Sequence, residues 1–284
     1  MFAAPFEYHA PDDLDAVLDL LAEYGDEATL LGGGQSLVPM MALRLAMPEI
    51  LVDLGRLERD EIRVEDGQLV IPGSARHVDI LNSPLVAEHA PMLRTAGAHI
   101  GNVRVRNRGT IGGSLAHADP AAEWPCVVSA LGATIQLTSR NGTRDVSPDE
   151  FFESYMMTTR EPEEVLTEVR IPVAAGRRQA FVEMTKRAND FAVVEVAVTA
   201  SLDDGSFEDV MVAFGGVADR PVTFGEAERQ ALRGARPGDS VVVDTIEAFT
   251  RELDPPQNVH GTTEYRRRLA QILTLRAVEL AASA

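Results

Sequence analysis

Two short segments far apart in the chain carry the residue types that could hold a phosphorylated ligand: Gly32-Gly33-Gly34-Gln35-Ser36 and Thr110-Ile111-Gly112-Gly113-Ser114. Glycine reaches positive φ without steric cost and lets a ligand approach the backbone, so several N–H groups can converge on one concavity. The hydroxyls of Ser36, Thr110 and Ser114 add neutral donors. Two such nests facing each other would suit both phosphates of a dinucleotide. Composition favours this route. Lys and Arg number 26 against 44 Asp and Glu, a formal charge of −18, so few cations are free for phosphate, and backbone N–H groups need none. The same charge argues against a nucleic-acid partner and against an anionic membrane surface.

Other readings of these residues stay open. Glycine runs also serve as plain turns. Gly32, Gly34 and Asp53, about 20 residues on, imitate a Rossmann dinucleotide fingerprint, but Leu37 stands where that motif needs its third glycine. Neither Ser36 nor Ser114 lies in Gly-x-Ser-x-Gly, so neither is a nucleophile elbow. His117 and Asp119, with no further His or Cys nearby, make a poor metal site. Cys126 is the single cysteine, which excludes an intrachain disulfide, a Cys-rich zinc site and an iron–sulfur cluster held by this chain alone.

The elements around these segments follow from periodicity. Leu14, Val17, Leu18 and Leu21 predict a helix over 12–24, capped by Asp12 or Asp13 and ended by Gly25. A strand at 28–31, a helical or turn-rich stretch at 37–47 and a strand at 49–54 make a small βαβ unit. Asp66-Gly67 joins strands at 62–65 and 68–71 as a hairpin. Helices are expected at 78–81, 85–96 and 121–131, with 101–113 as a glycine-containing connection. A second hairpin turns at Asn141-Gly142, and a strand at 165–171 stops at Pro172. Beyond a break at 173–178 come strands at 180–187, 193–202 and 207–216, then helices at 226–233, 245–252 and 262–282. That order reads as an antiparallel sheet covered by helices. The divisions expected are 1–56, 57–175 and 176–284. The start of the chain has no signal-peptide pattern and no run is long and apolar enough to span a bilayer, so a cytoplasmic protein without membrane insertion is expected.

LGGGQSLVPMMALRL (31–45), RNRGTIGGSLAHADPAAEWP (106–125), EVRIP (168–172) and MTKRANDFAVVEVA (184–197) together resemble the FAD-binding medium subunits of molybdenum hydroxylases. That group includes the carbon monoxide dehydrogenase medium subunit, nicotine and related N-heterocycle dehydrogenases, and the flavin domain of xanthine dehydrogenase. The resemblance covers nearly the whole chain, and Glu264-Tyr265-Arg266-Arg267 looks like the family's C-terminal domain. It implies an α+β fold: an FAD-binding fold of the vanillyl-alcohol-oxidase (PCMH) type in two lobes, plus a C-terminal domain of antiparallel sheet with helices.

The resemblance also implies the contacts of the cofactor. The FAD diphosphate would lie between Leu31, Gly32, Gly33, Gly34, Gln35, Ser36 and Leu37 on one side and Thr110, Ile111, Gly112, Gly113 and Ser114 on the other. His117, Asp119 and Glu123 match positions along the ribityl and adenosine side, and Leu166 an apolar position near the adenine. Lys186 and Asp190 fall in the segment approaching the flavin ring, against which Phe191 would lie. No residue of this chain need act as a general base.

A large subunit carrying molybdopterin would hydroxylate the substrate. A small subunit with [2Fe–2S] clusters would pass electrons to this FAD, and NAD, a quinone or oxygen would take them onward. A self-sufficient FAD-dependent oxidase or reductase of the same fold, and a dinucleotide-binding regulatory protein, are the competing functions. Arg104, Arg106 and Arg108 are conspicuous in so acidic a chain; they are expected either to meet the small subunit or to pair with the chain's own carboxylates. Glu161, Glu163 and Glu164 read as a solvated turn, and Lys186 and Asp190 as a possible i, i+4 pair.

Overall fold

The computed structural model describes residues 2–58 and 60–283. Its first lobe is a three-stranded parallel sheet. β1 (Glu7–His9) leads to α1 (Leu14–Tyr24), β2 (Ala28–Leu31), α2 (Leu37–Ala42) and β3 (Ile50–Asp53), and β3 lies between the other two strands. α1 starts where Asp13 accepts the N–H of Ala16 at 2.7 Å, and it ends at Gly25 with φ 51°. Val17, Leu18 and Leu21 pack on Ile50 and Val52, the small core of this lobe. α2 is shorter than its sequence suggests because Arg44 enters the left-handed region at φ 58° and breaks the turn. β1 has no apolar alternation and is placed by its pairing with β3 and the Tyr8 hydroxyl's bond to Asp53, which is why periodicity misses it.

The second lobe is built on a five-stranded antiparallel sheet. β4 (Arg63–Glu65) and β5 (Gln68–Pro72) turn through Asp66 and Gly67, both at positive φ. α3 (His77–Asn82), α4 (Pro84–His89) and α5 (Pro91–His99) follow; the helix expected over 85–96 divides because Pro91 cannot continue a helix and starts a new one. The expected connection at 101–113 is also corrected: it holds α6 (Val103–Arg108) and the start of α7 (Ile111–His117). α8 (Glu123–Leu131), β6 (Thr134–Ser139), β7 (Gly142–Val146), α9 (Pro148–Phe151), the small hairpin β8 (Phe152–Ser154) and β9 (Met157–Thr158), and β10 (Val165–Pro172) complete it. The strand order is β4-β5-β10-β6-β7.

The C-terminal part has β11 (Arg178–Thr185), β12 (Ala192–Asp203), β13 (Ser206–Gly215) and β14 (Val222–Thr223) in sequential antiparallel order, then α10 (Glu226–Leu232), α11 (Ser240–Glu252) and α12 (Thr263–Ser283). α11 begins one turn earlier than expected, burying Val242 under the sheet. Alternation along β11–β13 serves two cores at once. Phe181, Ala197 and Ala213 join the core of Ile71, Trp124 and Ile135, while Val182, Val196 and Phe214 pack with Leu273 and Ala277 of α12. The second lobe is therefore seated directly on the C-terminal sheet. α8 lies in that seam, and its Cys126 thiol donates to the Ala213 carbonyl at 3.4 Å.

Candidate functional site

The two glycine segments meet. A Cβ on Gly32 would lie 3.0 Å from Thr110 Oγ1 and 3.8 Å from Gly113 Cα. One on Gly33 would collide with the Arg108 carbonyl oxygen and come within 2.5 Å of Gly109 Cα. This approach needs bare backbone on both sides. Gly34 supplies the left-handed turn at φ 72° that sends the chain into α2. It is the one residue of the first segment at positive φ.

The expectation of two facing sets of free N–H groups needs correction. Among the described residues, the N–H groups of Gly33, Gly34, Gln35 and Ser36 have no partner within the chain. In the second segment the N–H groups of residues 111–114 are already used. Ile111 donates to Ala75 O at 3.0 Å, Gly112 to Gly73 O at 2.9 Å, Gly113 to Thr110 Oγ1 at 3.1 Å and Ser114 to Thr110 O at 3.0 Å. Thr110–Ser114 is thus a capped helix start, and its glycines are small rather than left-handed. A Cβ on Gly112 would meet Gly73 O at 2.7 Å, and one on Gly73 would strike the Leu166 carbonyl. Gly32, Gly113, Gly112 and Gly73 form a bare wall that carries the chain from the first lobe to β10.

That wall opens on a cavity of about 1200 Å³ between the two lobes. Gly32, Gly33, Gly34, Gln35, Ser36, Leu37, Thr110, Gly112, Gly113, Ser114, His117, Asp119, Glu123, Leu166, Asp190 and Phe191 all border it. Three expected residues do not. Ile111 is fully buried in the main core, Leu31 lies in the end of β2, and Lys186 is exposed. No ion pair joins Lys186 to Asp190 among the described residues. Phe191 stands at the mouth, 64% exposed, an aromatic face with little protein against it.

The polar wall is graded by burial. Asp119 Oδ1 accepts the Ala121 N–H at 2.9 Å and fixes the turn into α8. Glu123 begins α8 and is buried rather than solvated; loss of water, reinforced by Glu183 and Asp119, pushes its carboxyl up to about 8. It therefore faces the cavity as a protonated acid at neutral pH. Sequence reasoning missed His77, which sits beside the glycines. Its Nδ1 accepts the Trp124 Nε1–H at 2.9 Å, which leaves the proton on Nε2. Burial, with the charge of Arg106, lowers its pKa to about 4, so the ring is a fixed neutral donor. Neither Gly73 nor His77 belongs to a short motif; a glycine directly after a strand was the available signal.

Two other expectations change. In α6, Arg104 and Arg108 share a face at i, i+4 and Arg106 points elsewhere. Arg106 donates to the Ile100 and Gly101 carbonyls at 2.9 and 2.8 Å and is spent on that loop. Glu164 is buried, held by Arg144 at 2.6 and 2.9 Å and by the Glu161 N–H. Burial alone would raise its pKa, but these partners outweigh it and hold the carboxyl below the usual range. It is a structural ion pair and not a solvated turn.

Comparison with known proteins agrees with this geometry. Residues 4–174 match the model of the FAD binding domain in molybdopterin dehydrogenase, and residues 179–281 that of the CO dehydrogenase flavoprotein C-terminal domain. The chain is 34% identical to the glyceraldehyde dehydrogenase medium chain of Sulfolobus acidocaldarius, over 98% of each. It is 36% identical to the nicotine 6-hydroxylase medium subunit of Paenarthrobacter nicotinovorans, over 95% of each. Among solved structures it superposes on a chain of carbon monoxide dehydrogenase from Hydrogenophaga pseudoflava with a TM-score of 0.95 and 35% identity, covering 100% of this chain and 99% of that one.

Proposed function

The chain belongs to the FAD-carrying medium subunits of molybdenum hydroxylases, and from that premise we propose how its residues hold the cofactor and where its electrons go. It is an oxidoreductase subunit. In such a complex a molybdopterin large subunit hydroxylates the substrate, and the [2Fe–2S] clusters of a small subunit deliver electrons to this chain. An external acceptor, NAD, a quinone or oxygen, removes them. The single buried cysteine suits a chain whose clusters lie elsewhere.

The residues at the cavity fit FAD. The partnerless N–H groups of residues 33–36 are donors awaiting an acceptor, and they lie where a Cβ would close the gap to Arg108. They would take the diphosphate, with Ser36 and Ser114 adding hydroxyl donors. His117, Asp119 and Glu123 would line the ribityl and adenosine side, and Leu166 the adenine. Asp190 and Phe191 would border the ring at the mouth. Exposed Lys186 lies outside the cavity lining and is left out. Bound there, FAD supplies the exchange between one-electron arrival and two-electron departure. The protein supplies orientation and a fixed set of dipoles. The divisions 1–56, 57–175 and 176–284 are proposed as first lobe, second lobe and C-terminal domain. No helix among the described residues is long and apolar enough to cross a membrane, and a cytoplasmic location is proposed.

The observation that carries this reading is the contact of Gly32 and Gly33 with residues 108–113 beside free N–H groups. The test is purification of the chain alone and with its two partner subunits. A yellow chain with no turnover of small substrates, active once both partners are added, is the expected result. Turnover by the chain alone would favour a self-sufficient flavoenzyme, and a colourless chain that FAD does not bind would overturn the reading.

A further inference from the structure

Behind the cavity, in the seam between α8 and the C-terminal sheet, lies a set of carboxyl groups with little to neutralise them. Glu183 on β11 and Glu195 on β12 are directly opposite one another, which sets their Cβ atoms about 5 Å apart on one face of the sheet. It is the face turned to α8, since Phe181 and Ala197 share it and enter the main core. Glu195 is fully buried, and neither of its carboxyl oxygens has a hydrogen-bond partner. Its neighbour on β13 is Gly215, where a Cβ would strike the Glu195 carboxyl; the absent side chain makes the space this acid occupies. Glu123 stands in the first turn of α8 and borders the cavity. At the other end, half-exposed His99 on α5 meets Glu183 Oε1 through Nδ1 at 2.9 Å, while Glu183 Oε2 is buried and unpartnered.

The charged groups around Glu195 are mostly of one sign. α8 presents Glu123 and the Cys126 thiol, the turn before it Asp119, and β11 Glu183. β13 presents Gly215 and Ala213. α12 packs on the opposite face, and its Arg266 donates to the Val193 and Gly216 carbonyls and to Asn258 rather than to a carboxylate. Among the described residues His99 is the one basic group in the chain of contacts, and its ion pair is with Glu183. Buried carboxyls so placed cannot all be ionised. Burial first, then Glu123, Glu183 and Asp119, push Glu195 far up, and burial raises Glu183 as well.

We propose that Glu195 is a proton store for the flavin site, passing its proton to Glu123 at the cavity wall and refilled from solvent through His99 and Glu183. The proposal rests on the FAD reading above. A flavin bound in this cavity would take up protons as well as electrons on reduction. Glu123 would first release its own proton into the cavity, where a bound flavin would draw it on reduction; the O–H bond of Glu195 then breaks as a new one forms on Glu123, and water at His99 supplies the replacement through Glu183. No electron passes through these residues. Glu195 and Glu123 are not hydrogen-bonded to each other, so the transfer runs by side-chain rotation or through one water.

Infrared spectra of the purified chain without cofactor, at neutral pH, test the store directly. A carbonyl stretch from a protonated carboxylic acid is expected in the native chain, weakened by Glu195→Gln, an isosteric change in a site with no partner to lose. A native chain without that band, or a band untouched by the substitution, overturns the proposal. Proton uptake on photoreduction of the FAD-loaded chain, followed with an indicator dye, tests the path. Glu195→Gln is expected to slow uptake roughly tenfold. His99→Gln slows it too but leaves the infrared band intact. Unchanged uptake in both variants overturns the relay. Bound FAD is read separately from the visible spectrum, so failure of cofactor binding is distinguishable from failure of the proton store.

Discussion

The segments at 32–36 and 110–114 have nearly the same composition and opposite jobs. The first follows a strand, turns through one left-handed glycine and leaves four successive N–H groups without a partner among the described residues. The second begins a helix, and the N–H groups of residues 111–114 have been taken by Ala75, Gly73 or Thr110. One offers donors to a ligand. The other offers thinness, letting three stretches of backbone come together beside the cavity. Glycine therefore marks two physical needs that composition alone does not separate: freedom in φ and absence of a side chain.

Gly33→Ala should break the contrast most strongly. Its methyl group meets backbone at Arg108 and Gly109, which cannot rotate away. The purified variant is expected to lose most of its bound FAD, read as flavin absorbance per chain, and to melt at lower temperature. Full retention of FAD would show that the first segment is not the diphosphate contact. Gly112→Ala sharpens the other half. In an open helix the change would stabilise by about 1 kcal/mol, but here the methyl lies 2.7 Å from Gly73 O. The expected sign is destabilising, with cofactor loss following unfolding rather than preceding it. A raised melting temperature would mean that the wall is less tight than this.

The pH dependence of the cofactor-free chain probes the polar wall. Glu123 holds its proton in the folded state up to about 8, whereas the unfolded chain releases it near the ordinary carboxylate value of 4.5. The native state binds more protons across that interval, so stability falls as pH rises through it and levels off above. Glu123→Gln should flatten part of the decline in thermal melts; an unchanged slope would place the titration elsewhere.

Thr110→Ala removes the cap on Gly113 and should cost about 1 kcal/mol, a fall in melting temperature of about 2 °C for a chain of this size, with FAD largely retained. The smallest effect on stability is expected for Phe191→Ala. The ring is 64% exposed, so melting should hardly move, while flavin fluorescence should change because the aromatic face at the mouth is gone. Unaltered fluorescence would remove Phe191 from the flavin's surroundings.

Much of the fold is legible in local pattern. Asp66-Gly67 and Asp204-Gly205 each make a two-residue turn with both residues at positive φ, and the strands they join follow as expected. The misread elements share a cause. Gly112 and Gly113 are poor helix formers, so α7 is invisible to propensity; it exists because Thr110 caps it and Gly73 receives one of its N–H groups. Arg104, Arg106 and Arg108 read as one basic run, but the helix divides them, and Arg106 turns inward to carbonyls. Glu164 looks solvated in a run of acids until Arg144 of β7 reaches it. His77 and Gly73 carry no motif, because their importance lies in what approaches them: Trp124 for one, Leu166 for the other.

Sequence by itself determined most of the longer strands and helices, the placement of the glycine segments and, through motif resemblance, the family and its cofactor. Tertiary structure alone decided which of the two segments keeps its donors free, and that Glu123, Glu183 and Glu195 gather out of water in one seam. The reason is physical. Turns and periodicity are set by residues a few positions apart, whereas satisfaction of an N–H group and desolvation of a carboxyl depend on chain brought in from far away.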